Sequence, residues 1–251
     1  MDSKRRFSNR VDTYVKYRPD YPREAIDYLF GTVGLRAGCE AADVGAGTGI
    51  FSRLLLERGC RVTAVEPNAE MRAAAVERLG GNPGFRAVSG SAEATGLPDG
   101  AADFIVCAQS FHWFDRDAAR MEFQRVLRPG GKVALIWNTR LTEGTPFREE
   151  YDKLLRDFGT DYEATKHTNI RPDDLAPFFK SGRVQEGRFP NRQLFDYEGL
   201  RGRLLSSSYI PVAGAPGHDR MLEELRGIFD RNQADGKVPF EYVTQVFWGE
   251  V

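Results

Sequence analysis

The chain is poor in the residues that most readily betray chemistry. Its 251 residues include three cysteines, three histidines and three tryptophans. Cys39, Cys60 and Cys107 are odd in number and none belongs to a CxxC pair, so neither a disulfide framework nor a cysteine–histidine zinc site is expected. Cys107 lies inside the apolar string FIVCA and reads as a small buried thiol rather than a nucleophile. His112, His167 and His218 are scattered, which leaves no evident home for a metal. Long apolar runs are missing too. Strings such as VALIW at 133–137 stop far short of the roughly 20 residues that span a bilayer, so no membrane partner is expected. MDSKRRFSNR at the N-terminus carries positive charge with no apolar stretch behind it and does not read as a secretory signal. The expected compartment is the cytoplasm. An excess of one charge is the last absence. Lys and Arg total 35 against 36 Asp and Glu, a net charge of −1, which offers no field to a polyanion and argues against a nucleic-acid partner.

What is present is rhythm. Between residues 40 and 138, short apolar runs alternate with amphipathic stretches at intervals of roughly 20 to 25 residues, the spacing of βα units. Strands are expected at 40–44, 61–65, 85–88, 103–108 and 132–137. Helices are expected at 48–58, where Gly59 stops the run, at 69–79, with Asn68 as N-cap, and at 117–127, closed by the breaker cluster Arg128-Pro129-Gly130-Gly131. Strands that alternate with helices imply a mostly parallel sheet with right-handed crossovers. Upstream, 22–30 reads as a helix with Ala25, Ile26, Leu29 and Phe30 on one face. Downstream, 147–158 and 221–230 read as amphipathic helices, and 183–195 and 240–248 as long strands. The stretches between Thr139 and Gly182 and between Glu198 and Gly236 then read as insertions at the end of the sheet, where substrate-shaping elements usually lie.

One motif carries the chemistry. Asp43-Val44-Gly45-Ala46-Gly47-Thr48-Gly49 follows a strand and opens a helix, so its glycines let the backbone pass close beneath a ligand at a helix N-terminus. A dinucleotide fingerprint needs a third small residue in GxGxxG, and here position 50 is Ile, which disfavours a pyrophosphate cradle. Glu66 ends the second strand, where a carboxylate can take both hydroxyls of a free ribose diol.

DVGAGTG, the strand end AVEP, GSAEATGLPDGAADFIV and LRPGGKVAL together resemble the class I S-adenosylmethionine (SAM)-dependent methyltransferases, the small-molecule group with trans-aconitate-type and ubiquinone/menaquinone-type enzymes in particular. The likeness runs from Tyr14 to Asn138 and is faint beyond. It implies one domain on a Rossmann-like, seven-stranded, mostly parallel α/β sheet with helices on both faces. Residues 1–35 would form an N-terminal lid and helix, 36–138 the SAM-binding core, and 139–251 the insertions and last two strands. It implies SAM as cofactor, bordered by Asp43, Gly45, Ala46, Gly47 and Gly49, with Glu66 on the ribose and Pro67 and Met71 near the adenine. Ser91, Ala92 and Glu93 would surround the adenine edge, Ser91 replacing the family's usual acidic residue. Gln109 and Ser110 would lie beside the sulfonium, and Tyr17 and Arg18 would close the site, Arg18 pairing with the carboxylate of SAM.

Residues after the fourth and fifth expected strands face the same crevice. Phe111, Trp113 and Phe114 form an aromatic cluster suited to a cationic sulfur or to the acceptor, though Phe111 and Phe114 equally suit packing under the next helix. His112 is the candidate general base. Trp113, Asn138, Arg140 and Tyr209 are candidate acceptor contacts, with Arg140 suited to a carboxylate. The expected reaction is methyl transfer to oxygen or carbon of a small organic molecule. A non-catalytic SAM-binding protein and a nicotinamide-dependent oxidoreductase remain as alternatives. The NPPY-like tetrad of amino-group methylases is absent after the fourth strand, where QSFH stands.

Overall fold

In the computed structural model, residues 17–160, 162, 172–207 and 209–251 are described. Seven strands form one sheet: β1 (Glu40–Val44), β2 (Arg61–Val65), β3 (Phe85–Val88), β4 (Ala102–Ala108), β5 (Leu127–Arg140), β6 (Gln185–Phe195) and β7 (Val238–Gly249). Their order across the sheet is β3-β2-β1-β4-β5-β7-β6. Strands β1 to β5 pair in parallel, and β7 runs against both β5 and β6. The sheet is therefore mostly parallel and Rossmann-like, as the alternating pattern implies.

Burial explains the sequence of each strand. β1, β2 and β4 are covered on both faces and read as continuous apolar runs rather than as alternating ones. β6 lies at an edge, alternates in exposure and tolerates Pro190, whose missing N–H has no ladder partner to disappoint on the outer side. One apolar layer lies over the sheet on the side of α4 (Arg116–Val126), around Phe111, Phe123, Trp137 and Phe178. Another lies on the side of α1 (Arg23–Tyr28) and α2 (Ile50–Glu57), around Ile26, Leu29, Phe51 and Leu55. A third cluster joins α5 (Pro146–Phe158), α6 (Tyr197–Leu205) and α7 (His218–Asn232) to the ends of β6 and β7.

The helix α3 (Ala69–Leu79) starts where Asn68 accepts a hydrogen bond from the Met71 N–H at 2.9 Å. Cys39 and Cys60 precede β1 and β2 side by side, with sulfurs 3.3 Å apart, and are free thiols, as is the fully buried Cys107.

Several boundaries differ from the local pattern, and three of them have a clear structural reason. Strand β5 begins at Leu127, because Arg128-Pro129-Gly130-Gly131 is looped out between two successive pairings, Ala102 with Leu127 and Phe104 with Lys132. It also continues through Asn138, Thr139 and Arg140, which are paired antiparallel with Thr244, Val243 and Tyr242. The expected helix at 22–30 runs instead from Arg23 to Tyr28 and continues as a π-helical turn to Val33, ended by Gly34 in the left-handed conformation.

Candidate active site

Between β1 and β4 successive crossovers leave the sheet in opposite directions, which opens a crevice at the carboxyl ends of the strands. The loop from Asp43 to Gly49 lines it. Gly45, Gly47 and Gly49 all have positive φ, at 71°, 56° and 78°, a region L-residues rarely adopt. They serve different ends. A Cβ on Gly45 would lie 2.5 Å from the Cβ of Ser110, so that glycine lets β4's loop approach. A Cβ on Gly47 would meet only the Met71 sulfur, at 3.7 Å, which leaves its outer side open to the cavity. Gly49 lies behind the cavity wall, where it caps α2 and lets Leu79 and Ala75 of α3 pack close.

Glu66 is held ready at the end of β2. Its Oε2 accepts from the Gly47 N–H at 2.8 Å and its Oε1 from the Asn68 N–H at 2.9 Å. Burial raises its pKa despite these donors and the nearby Arg72. Asp43 is fully buried; Oδ2 accepts from the Ser52 hydroxyl at 2.6 Å and Oδ1 has no partner. Thr48 Oγ1 is buried without a partner on the same loop. Burial pushes the Asp43 carboxyl up to about 7; the Ser52 bond opposes this and Glu66 adds to it.

Arg18, Asp43, Gly45, Ala46, Gly47, Glu66, Pro67, Met71, Ser91, Ala92, Glu93, Gln109, Ser110, His112, Trp113, Asn138, Arg140 and Tyr209 all border one cavity. Tyr17 and Gly49 do not. The ring of Tyr17 is instead laid on Gly202 of α6, where a Cβ would sit 2.2 Å from it. The rest of the segment before it lies outside the described residues. Gln109 takes φ of 61°, a costly conformation for a residue with a Cβ, and its N–H donates to Ile136 O at 2.8 Å. Glu93 accepts from the Asp115 N–H at 3.0 Å. Phe111 is buried against Phe178 and Trp137, so it belongs to the core, while Phe114 both packs on Phe111 and borders the cavity.

The far end of the cavity holds residues the local pattern does not reveal: Tyr162, Arg203 and Tyr242 beside the expected Arg140 and Tyr209. Asn138 is committed to structure, donating to Asp20 O at 3.3 Å and accepting from Asn191 at 3.1 Å and Thr244 at 2.5 Å. The strip from Tyr17 to Tyr21 spans both ends. Asp20 pairs with Arg53 of α2 at 2.5 Å and Tyr21 meets Phe51 edge-on at 4.9 Å. On the other side, Asp20 O accepts from Asn191 at 2.8 Å and Arg18 Nη2 donates to Ser206 O at 3.2 Å.

Residues 42–135 match a family model described as a methyltransferase domain. An uncharacterized methyltransferase of Geobacillus kaustophilus is 32% identical over 162 residues, which cover 61% of this chain and 72% of that relative. The chain belongs to the class I SAM-dependent methyltransferases. An uncharacterized methyltransferase of Mycobacterium tuberculosis is 42% identical over 134 residues, 53% of this chain; the match spans about half that relative's length, 52%. A solved structure from Anaeromyxobacter dehalogenans, described as a candidate type II methyltransferase, superposes with a TM-score of 0.66 at 24% identity, covering 93% of this chain and 98% of the other. It shares the fold of this methyltransferase.

The residues of this methyltransferase suit the family's cofactor. An open backbone cradle at Gly47, an oriented carboxylate at Glu66 and an unpartnered buried oxygen on Asp43 match a ligand that carries a sugar diol and positive charge. Among the described residues no cluster of His, Cys, Asp or Glu could hold a metal ion, and no helix is long and apolar enough to cross a membrane.

Proposed function

We propose that the chain transfers a methyl group from SAM to oxygen or carbon of a small organic acceptor in the cytoplasm, working as one domain with 36–138 as the cofactor core. The observation that carries this reading is Glu66, fixed by two backbone N–H groups at the strand end and facing the open side of Gly47. In this reading Glu66 holds the ribose hydroxyls, Asp43, Gly45, Ala46 and Gly47 border the methionine part, and Arg18 takes its carboxylate. Pro67, Met71, Ser91, Ala92 and Glu93 enclose the adenine. SAM supplies, when bound, an activated methyl on a sulfonium.

The chain's own contribution is then position and the exclusion of water. Gln109 and Ser110 place polar groups beside the transfer point, and Trp113 and Phe114 wall it with aromatic surface. His112, next to Trp113 at 4.7 Å between ring centroids, would take the proton of a hydroxyl acceptor. Charge-assisted hydrogen bonds of the Glu66 type are each worth about 1.5–3 kcal/mol. Glu66→Gln is therefore expected to weaken SAM binding by roughly tenfold to a hundredfold in titration calorimetry, with the fold retained. Binding of NAD in place of SAM by the unaltered protein would overturn the proposal, as would SAM binding indifferent to Glu66→Gln.

A further inference from the structure

The far end of the cavity is built around two buried guanidinium groups with unused donors. Arg140 donates through Nη2 to Asp152 Oδ1 and to the Tyr162 hydroxyl, both at 2.6 Å, while its Nη1 is buried with no hydrogen-bond partner. Arg203 donates through Nε to the Tyr242 hydroxyl at 3.1 Å and through Nη1 to the hydroxyls of Ser206 and Ser207 at 3.4 and 3.3 Å. Among the described residues no carboxylate pairs with Arg203. Guanidinium does not deprotonate in proteins, and a buried cation without a counter-charge is costly. Asp152 cannot serve both arginines. One of its oxygens holds Arg140, and the other meets the half-exposed Arg156 at 2.9 Å. Among the described residues, and with Arg18 taken by the SAM carboxylate in the proposed reading, the chamber thus sets two buried positive charges, Arg140 and Arg203, against Asp152.

Rings hold the guanidinium planes in place. Arg140 stands over Tyr151 at 5.3 Å and Arg203 over Phe240 at 5.4 Å, so their edges, where the donors are, remain directed and little entropy is lost when a ligand arrives. Tyr162 and Tyr209, with centroids 5.2 Å apart, give an apolar wall for a carbon skeleton.

We propose that the methyl acceptor is a monocarboxylic acid whose carboxylate is held between Arg140 Nη1 and Arg203, with the reacting atom turned toward Gln109 and His112. This deepens the reading of the cavity as a cofactor and acceptor site and rests on it. One carboxylate balances the excess charge; a phosphate-type dianion would leave a negative charge buried among tyrosines. A carboxylate whose lone pairs are taken by two guanidiniums is a poor nucleophile, so the carboxyl is the handle and the methylated atom lies elsewhere in the acceptor. Arg140 and Arg203 are positioning residues.

The test uses the full chain saturated with S-adenosylhomocysteine, titrated with benzoate and hexanoate, each against its own amide, and with phenylphosphonate. Each acid is expected to bind at least tenfold more tightly than its amide, and benzoate more tightly than phenylphosphonate. Arg140→Gln should erase the preference of acid over amide, and Arg203→Lys should reduce it several-fold, while S-adenosylhomocysteine affinity stays within twofold in both. Amides that bind as well as acids, a preference that survives Arg140→Gln, a lead for phenylphosphonate, or a methyl ester formed on benzoate with SAM would each overturn the proposal. The wild-type comparison of acid with amide needs no variant to fold. Benzoate held in an Arg140-dependent way by a protein indifferent to S-adenosylhomocysteine would sink the cofactor reading, and the methyl acceptor with it, while leaving the carboxylate site itself in place.

Discussion

Asp43 is a carboxyl group sealed at the root of the glycine loop, and its environment makes it a reporter of pH. Burial pushes it up to about 7, Ser52 opposes and Glu66 assists, against an ordinary value of 3.8. The folded chain therefore holds this proton more tightly than the unfolded chain does. Below the unfolded value both forms are protonated and nothing is lost; between the two values the unfolded state ionises first, and stability falls as pH rises until the penalty is complete above about 7. The melting temperature of the ligand-free protein is expected to decline from about pH 4 to about pH 7, and Asp43→Asn should flatten that decline. Burial also raises the Glu66 carboxyl, in the same direction, so the variant reduces the slope rather than abolishing it. Parallel melting curves for the two proteins across the window would count against this account.

At the scale of elements, the caps that start helices also decide what they present. α5 begins where Thr145 accepts from the Arg148 N–H at 3.3 Å and Pro146 occupies the first turn. It carries Tyr151 and Asp152, which brace Arg140, yet none of its residues borders the cavity. Thr145→Ala is expected to cost about 1 kcal/mol of stability in urea unfolding while SAM affinity is unchanged; a matched loss of both would place α5 in the cofactor site. The elements differ in how plainly the sequence announces them. α3 follows an Asn cap and ends before paired glycines, signals that are local and sufficient. α6 contains Gly199 and Gly202 and buries a charged Arg203, so neither its helicity nor its cavity residue shows in a local window. Asn138 to Arg140 look like a loop after a strand because their partners Thr244 to Tyr242 lie far along the chain. The glycine-loop end of the site is legible because its pieces at 43–47, 66–71 and 91–93 each lie at or just past the end of a strand within a short local motif. The arginine end draws Tyr162, Arg203 and Tyr242 from three separate segments, a meeting set by tertiary packing alone.

Across the whole molecule, the parallel half of the sheet presents the glycine loop and Glu66, and the antiparallel half with its three helices presents the arginines and tyrosines. The strip from Tyr17 to Tyr21 is fastened to both, through Arg53 and Phe51 on one side and Asn191, Ser206 and Gly202 on the other. Such a shared fastening is a route for cooperativity. A ligand that steadies one half steadies the strip, and the second ligand then meets an edge already ordered. Benzoate is expected to tighten S-adenosylhomocysteine binding, and the reverse effect must have the same factor, since the two routes to the doubly bound protein close one thermodynamic cycle. Affinities measured singly and together would give that factor, and a value of one would mean the strip transmits nothing. A factor well above one would raise the share of doubly filled protein at the expense of protein holding either ligand alone, so the methyl donor would less often occupy the cavity without an acceptor beside it.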